Sequence, residues 1–196
     1  MSTEIRIYRA KIYDDNGEYT RYPIYLPWGQ ARSFCEERNL KLLTIPYQYE
    51  LGDNNYDWDN IRQKLDSSFK WNLEGYRDVW VGHYREQHAS GNWNENWKSV
   101  VGKKGSMDEE DRLRFLKNNW YKPTNEPNNA GATAEACANM SLYKRKEDGI
   151  YNDEDCSKFF PFICEVPGAM KNSYYVKKNE PVKIKKVEVI KIRVLV

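Results

Sequence analysis

The sequence predicts one α+β domain built from short strands, two short helices and a very long loop region. Three observations support this fold class. The candidate strands are only a few residues long, helical spacing of apolar residues is confined to short segments, and residues 91–134 have almost no regular periodicity. The chain has 196 residues, of which we assign 1–166 to the domain and 167–196 to a tail.

The N-terminal part contains a hairpin, a helix and a strand, in that order. Residues 5–25 alternate apolar and polar side chains around Asn16-Gly17, a dipeptide that favours tight hairpin turns. Residues 26–39 carry apolar side chains at helical spacing, which predicts the first helix. The run of Leu, Leu, Thr and Ile at 42–45 then predicts a strand that ends before Pro46.

The rest of the domain adds a second helix and three strands. Residues 61–69 predict a short helix, which follows a polar loop over 53–59. This loop is similar to an EF-hand in its alternating Asp and Asn residues but lacks Gly at the sixth position, so we expect it to cap the helix. Within the long loop region only 109–116 has helical spacing. The three strands are predicted at 79–82, 136–143 and 159–166.

Four cysteines without a Cys-x-x-Cys pair indicate two disulfides in an oxidising compartment. Structural zinc sites need paired short spacings, and only two His are present to assist. Sequence alone leaves three connectivities open, and four buried free thiols in a cytosolic protein are the alternative. The cysteines are Cys35, Cys137, Cys156 and Cys164.

The charge and hydropathy patterns give no sign of a membrane segment. The net charge is +2, no run of about 18 apolar residues occurs, and the N-terminus shows no signal-peptide pattern. The tail is basic, with eight Lys or Arg and two Glu from Pro167 onward. Residues 182–196 alternate apolar and charged residues, which predicts an amphipathic strand that pairs with an edge of the domain or with another chain in a homo-oligomer. A solvated basic tail is the alternative.

Carboxylate and amide side chains are concentrated around two of the cysteines, Cys137 and Cys156. Such oxygens are the ligands that Ca²⁺ prefers, since it takes about six to eight oxygens in flexible geometry. The sequence therefore predicts a calcium site with positions left open to water or ligand. Taken alone, without Glu135, Asn152 and Asp153, the segment around Pro127 would be interpreted as a polar turn. The predicted metal ligands are Glu126, Asn128, Glu135, Asn152 and Asp153.

Nine short motifs, in order along the chain, resemble the C-type lectin-like domain family over roughly residues 6–166. The resemblance implies the C-type lectin-like fold with a long calcium-binding loop region. It also implies a cis peptide at Pro127 and disulfides that pair Cys35 with Cys164 and Cys137 with Cys156. The motifs are Trp28-x-x-Ala31-x-x-x-Cys35, Leu43-x-Ile45, Trp80-Val81-Gly82, Trp120, Glu126-Pro127-Asn128, Glu135-Ala136-Cys137, Tyr151-Asn152-Asp153, Cys156 and Cys164.

The resemblance also implies a function. In sugar-binding members these positions form one calcium site, at which two vicinal sugar hydroxyls replace water. Because a carboxylate only accepts and an amide nitrogen only donates, Glu126 with Asn128, and Glu135 with Asn152, would saturate two equatorial hydroxyls. The Glu-Pro-Asn motif accompanies mannose, glucose, N-acetylglucosamine and fucose. We therefore expect a secreted, calcium-dependent lectin whose partners are mannose-type glycans, and no contact with nucleic acid.

Two other classes of function are less well supported. A lectin-like domain that binds a protein, a mineral or another non-sugar ligand often lacks the Glu-Pro-Asn and Asn-Asp residues that this chain has. Enzymatic activity is not expected, because neither His83 nor His88 belongs to a known motif with a Ser or Cys nucleophile.

Several positions differ from the family pattern. Tyr151 replaces the usual Trp, with the same expected role in packing. Asn129 and Ala136 stand where members with a second calcium ion often have Asp, so we do not expect a second site of that kind. Residues 98–117 are longer than the family's loop and would widen or cover the primary site. Trp28, Trp80 and Trp120 are expected in the core, whereas Trp93 and Trp97 could lie in the core or contact sugar.

Overall fold

The computed structural model describes residues 2–13, 19–44, 77–86, 92–101, 107–144, 146–165 and 187–195. Within these ranges the chain forms two α-helices, α1 (Trp28–Glu36) and α2 (Met107–Asn118), neither of which is long and apolar enough to cross a membrane. The strands are β1 (Ser2–Tyr13), β2 (Tyr19–Pro23), β3 (Lys41–Leu42), β4 (Asp78–Arg85), β5 (Trp97–Ser99), β6 (Cys137–Ser141), β7 (Tyr151–Glu154), β8 (Ile163–Glu165) and β9 (Val187–Leu195). The predicted α+β class is confirmed.

Five strands form the first sheet, in the order β2-β1-β8-β3, with β9 paired to β1. β1 and β2 are antiparallel, so the predicted N-terminal hairpin is present. β9 runs antiparallel to β1 from the Ser2–Leu195 pair to the Ala10–Val187 pair. The first and last described strands of the chain are therefore neighbours.

Four strands form the second sheet, in the antiparallel order β5-β4-β6-β7. The ladder between β4 and β6 shifts register between Trp80 and Tyr84. Asn139 in β6 lies opposite Asn152 in β7 and is only 1% exposed. This sheet carries two of the predicted ligands, since Asn152 and Asp153 belong to β7.

Two groups of buried side chains form the core. One includes Phe115 and Leu116 of α2 together with side chains of the second sheet, and the other joins α1 to Trp80 of β4. Trp28, Trp80 and Trp120 are buried as predicted, and Trp97 is also in the core. Burying large aromatic side chains removes much apolar surface from water, so the burial of these tryptophans stabilises the fold.

α1 packs one face onto the domain because its apolar residues recur at helical spacing. A turn follows the helix, in which Asn39 has φ 55° and the Leu40 N–H donates to the Cys35 carbonyl at 2.9 Å. Asn tolerates this left-handed conformation better than most residues, which suits it to end a helix. The buried residues of α1 are Trp28, Ala31, Phe34 and Cys35.

Two disulfides fasten the elements together. Cys35 in α1 is bonded to Cys164 in β8, and Cys137 in β6 is bonded to Cys156 beyond β7. The pairing that the family resemblance implied is confirmed. The second disulfide holds the strand that follows Glu135 against the segment that follows Asp153.

The region 91–134 contains more regular structure than the sequence predicts. β5 lies within it, and a three-residue strand is too short to show periodicity. α2 is longer than the 109–116 segment that has helical spacing. The prediction of loop was therefore wrong for β5 and for both ends of α2. Within the described part of the insertion 98–117, residues 98–99 belong to β5 and 107–117 to α2, where Phe115 and Leu116 are buried in the core.

Three predictions fall on residues outside the described ranges. These are the helix at 61–69, the EF-hand-like loop at 53–59 and the surroundings of His88.

A buried ion pair fastens α2 to the first sheet. Arg112 Nη1 lies 3.0 Å from Glu165 Oε1 and donates to the Thr44 carbonyl at 2.8 Å. The Arg112 and Glu165 side chains are only 9% and 4% exposed. Removing one partner of such a pair leaves the other charge buried alone, which typically costs about 3–5 kcal/mol. The pair therefore fixes the helix that leads into the predicted site.

Candidate functional site

The end of α2 brings the two halves of the predicted site together. The Asn119 carbonyl accepts hydrogen bonds from the amides of Ile150 (2.8 Å) and Tyr151 (3.0 Å). The Tyr121 N–H then donates to the Tyr151 carbonyl at 2.9 Å, and the Glu126 N–H donates to the Tyr121 carbonyl at 3.1 Å. Segment 119–126 is thereby held beside β7.

Tyr151 serves the packing role expected of it. The side chain is 0% exposed, and its ring makes edge contacts with Phe115, Trp120 and His83. The packed Tyr151 ring therefore fixes the position of β7, which carries Asn152 and Asp153.

Glu126 and Asn128 form a bonded pair in the loop that follows. The Glu126–Pro127 peptide is cis, as the resemblance implied. Glu126 Oε1 accepts from the Thr124 hydroxyl at 2.6 Å and from Asn128 Nδ2 at 2.9 Å. Asn128 Oδ1 accepts from the Ala130 N–H at 2.7 Å. One acceptor and one donor thus lie side by side at the predicted positions, on an exposed loop.

Asp153 ties this loop to β7. Its side chain is 1% exposed, and Oδ1 accepts from the Asn128 N–H at 3.0 Å. Oδ2 accepts from the Asn129 N–H at 2.9 Å and from the Trp93 indole N–H at 2.5 Å. Glu126, Asn128 and Asp153 are therefore gathered in one place.

Glu135 and Asn152 make separate contacts with the backbone. The Glu135 N–H donates to Asn129 Oδ1 at 3.0 Å, and its carboxylate contacts the backbone amides of Gly131 and Ala130. Asn152 Nδ2 donates to the Asp153 carbonyl at 2.7 Å. In the described part of the chain, no three Asp, Glu, His or Cys residues are close enough to hold a metal ion. Glu135 thus does not complete a three-acid group with Glu126 and Asp153.

The carboxylates of the site repel one another. The pKa of Glu126 is raised to about 8, mainly by burial and further by the Asp153 carboxyl. The Thr124 hydroxyl and the Lys144 ammonium oppose this rise only in part. Burial also raises the pKa of Glu135, and nearby carboxylates contribute. Without a cation, Glu126 therefore holds a proton at neutral pH.

The donor set fits a calcium ion. Glu126 Oε2 is buried without a hydrogen-bond partner, next to a second carboxylate. A divalent cation would lie between the two carboxyl groups and take the place of the Glu126 proton. Amide oxygens from Asn128 and Asn152 suit calcium because they add ligands without adding charge. Of the five predicted ligands, the structure brings Glu126, Asn128 and Asp153 close together.

Some residues at the site were not predicted from the sequence. Trp93 reaches Asp153 from the hairpin of β4 and β5, and no motif marks it. Lys144 lies with its ammonium 3.5 Å from the centre of the Tyr121 ring, close to the Glu126 charge. Thr124 is two residues before Glu126, so its proximity could have been inferred from the sequence.

Comparisons with known proteins identify the family. A family model described as "Lectin C-type domain" matches residues 25–166. L-selectin of Bos taurus is 27% identical over 146 residues, which are 74% of this chain and 30% of that protein. The chain therefore spans about a third of the length of this relative.

Several solved structures also match the chain, at low identity. The cow C-type carbohydrate-recognition domain of CD23, in the presence of a GlcNAc2Man3 oligosaccharide, is 20% identical, with a TM-score of 0.45 over 82% of this chain and 99% of that one. The Ca²⁺-independent C-type lectin SPL-2 from Saxidomus purpuratus is 20% identical, with a TM-score of 0.46 over 76% and 85%. Human lithostathine is 13% identical, with a TM-score of 0.48 over 84% and 92%.

The family model covers well over half of the chain, and its range includes every predicted ligand and all four cysteines. The chain belongs to the C-type lectin domain family.

Proposed function

We propose that this protein is a calcium-dependent lectin that binds sugars with equatorial vicinal hydroxyls, of the mannose, glucose, N-acetylglucosamine and fucose type. Calcium would be held by Glu126, Asn128, Glu135, Asn152 and Asp153. One observation carries this proposal: Glu126 Oε2 is buried without a donor beside the Asp153 carboxyl. Such a group requires a proton or a cation, and the amide oxygens nearby favour calcium.

The Glu126–Asn128 pair explains how a hydroxyl would be recognised. Glu126 Oε1 and Asn128 Nδ2 are 2.9 Å apart, so they satisfy each other when no ligand is bound. A sugar hydroxyl placed between them donates to the carboxylate and accepts from the amide, which replaces the internal bond without leaving either group unpaired. When bound, calcium supplies positive charge and open coordination positions for two hydroxyl oxygens.

Glu135 and Asn152 would form the second pair, which selects a second hydroxyl on the neighbouring carbon. The Glu135 carboxylate accepts from backbone amides and keeps lone pairs for calcium, whereas Asn152 Nδ2 would exchange its bond to the Asp153 carbonyl for one to a sugar hydroxyl. Because few groups are desolvated, we expect single-site affinity in the millimolar range, about −4 kcal/mol.

Two features bear on where and how such a lectin would act. Two disulfides are typical of proteins in oxidising compartments, which supports a secreted or extracellular location. Weak single sites gain avidity when several are linked, which supports a homo-oligomer that presents several sites to one glycan surface.

The test is retention on a mannose resin in calcium, followed by elution with a chelator. We expect retention in calcium, release by EDTA, and weaker retention on a galactose resin. Glu126→Gln is the matched variant, because it keeps the size of the side chain but removes the charge that the cation requires. It should pass through the mannose column. Retention that persists in EDTA would contradict the calcium mechanism.

A second candidate function is binding of a protein or another non-sugar ligand. It is favoured by the contacts of Glu135 and Asn152, whose side chains are bonded to backbone groups. Folded protein that binds no sugar resin in calcium would favour this candidate over the first.

A further inference from the structure

Trp93 contacts a predicted calcium ligand from a distant part of the chain. Its indole Nε1 donates to Asp153 Oδ2 at 2.5 Å across 60 residues of sequence. The Trp93 side chain is half-buried, whereas Asp153 is 1% exposed. Hydrogen bonds to a charged acceptor are roughly twice as strong as neutral ones. This hydrogen bond therefore helps to fix the orientation of the Asp153 carboxylate.

The hairpin of β4 and β5 fixes the orientation of the indole. The Arg85 guanidinium lies over the Trp93 ring, 4.0 Å from its centre. The Trp93 carbonyl accepts from the Trp97 indole N–H at 3.0 Å. Arg85 and Trp97 are themselves opposite each other in the ladder of β4 and β5. The N–H is therefore aimed at Asp153 by the rigid pairing of two strands.

A count of hydrogen bonds shows what this contact does to Asp153. Among the N–H donors, two bond to Oδ2, from Trp93 and Asn129, whereas one bonds to Oδ1, from Asn128. Each carboxylate oxygen has two lone pairs. Oδ2 is therefore saturated, and Oδ1 keeps one lone pair for a further partner.

We propose that Trp93 is a positioning residue of the calcium site, which occupies Asp153 Oδ2 so that Oδ1 alone is presented to the metal. This inference rests on the proposed function, since it assumes that Asp153 binds calcium. It makes the β4–β5 hairpin a third element of the site, beside β7 and the Glu126–Asn128 loop. Groups that orient a metal ligand in this way typically change metal affinity about 10–100-fold when they are removed.

The experiment compares calcium binding by the full chain, Trp93→Phe and Trp28→Phe, using isothermal titration. Phe at 93 keeps an aromatic ring for Arg85 to stack on but removes the N–H. Trp28→Phe is the control, since it deletes a buried indole bond, to the Val81 carbonyl at 2.8 Å, that involves none of the predicted ligands. We expect about 10–100-fold weaker calcium binding for Trp93→Phe and no change in affinity for Trp28→Phe.

A second measurement detects the contact without metal. In chelator, the Trp93 indole N–H resonance of the unmodified chain should lie downfield and should move upfield in Asp153→Asn, whereas the Trp28 resonance should not move.

Equal calcium affinity of Trp93→Phe and the unmodified chain would overturn the positioning role and leave the proposed function standing. Failure of the unmodified chain to bind calcium would overturn both. If the chemical shift of the Trp93 indole N–H is the same in Asp153→Asn as in the unmodified chain, the hydrogen bond between Trp93 and Asp153 does not exist.

Discussion

Gly131 occupies a position where any side chain would collide with the Glu135 carboxylate. A Cβ atom at this position would lie 2.7 Å from Glu135 Oε1, closer than such atoms approach in proteins. We expect Gly131→Ala to displace Glu135 and to weaken calcium binding at least about tenfold, as disturbed surroundings of a metal ligand do. Isothermal titration with calcium measures the change.

Gly29→Ala is the matched control for this substitution. Gly29 is an exposed residue of α1, and nothing lies within 4 Å of a Cβ at that position. The control should bind calcium with unchanged affinity, and its free energy of unfolding should be unchanged or slightly higher because Ala favours helix. If Gly131→Ala also binds normally, Glu135 does not act as a calcium ligand.

At the scale of single residues, the sequence predicts side chains that share a short segment or a family motif. Glu126 and Asn128 are two residues apart, and the structure pairs them directly. Trp93 carries no comparable signal, because 60 residues separate it from Asp153 and only the strand pairing of the hairpin brings them together. Contacts of this kind depend on register, which a single sequence does not reveal.

Among the elements, β4 passes so close to its neighbours that only glycine fits at position 82. A Cβ there would lie 2.6 Å from the Leu42 carbonyl oxygen and 2.5 Å from Val100 Cγ2. Because one of these atoms belongs to the backbone of the next strand, the clash cannot be relieved by a side-chain rotation. We expect Gly82→Ala to lower the free energy of unfolding by about 1–3 kcal/mol, as overpacking does.

Urea denaturation of Gly82→Ala and Gly29→Ala provides the comparison. The Gly29 variant should unfold at the same or a higher urea concentration, whereas the Gly82 variant should unfold earlier. Equal midpoints would show that β4 can move away from β3 without cost.

Elements were predictable where their own pattern extends over enough residues. The N-terminal hairpin has alternating residues, α1 has helical spacing, and β4 contains a compact apolar run. β5 and β7 have three and four residues, too few to define a period, and they are strands because their partners pair with them. For α2, helical spacing covers only residues 109–116, whereas the helix spans Met107–Asn118.

At the scale of the whole molecule, the pairing of β1 with β9 bears on the proposed assembly. In this ladder Ile5 is opposite Ile192, and Ile7 is opposite Ile190. β9 thus finds its partner within the same chain. A homo-oligomer formed through the tail would have to use the other edge of β9, because one edge is occupied by β1.

His83 lies where β4, β7 and α2 meet, so its protonation affects the whole fold. The side chain is 0% exposed, and its ring is 5.9 Å from the ring of Tyr151. Burial lowers the pKa of His83 to about 3, and the positive charge of Arg112 adds to this effect. In an unfolded chain the pKa of a histidine is about 6.5. Between these two values the folded protein binds fewer protons than the unfolded chain does.

We therefore expect the free energy of unfolding to fall as the pH is lowered from about 6.5 towards 3, with His83 contributing up to about 1.4 kcal/mol per pH unit. Urea denaturation in chelator, at several pH values, should show a shallower dependence for His83→Gln than for the unmodified chain. Carboxylates such as Glu126 titrate in both proteins, so the difference between the two slopes isolates His83. Parallel slopes across this range would mean that the folded protein accepts the proton as readily as the unfolded chain.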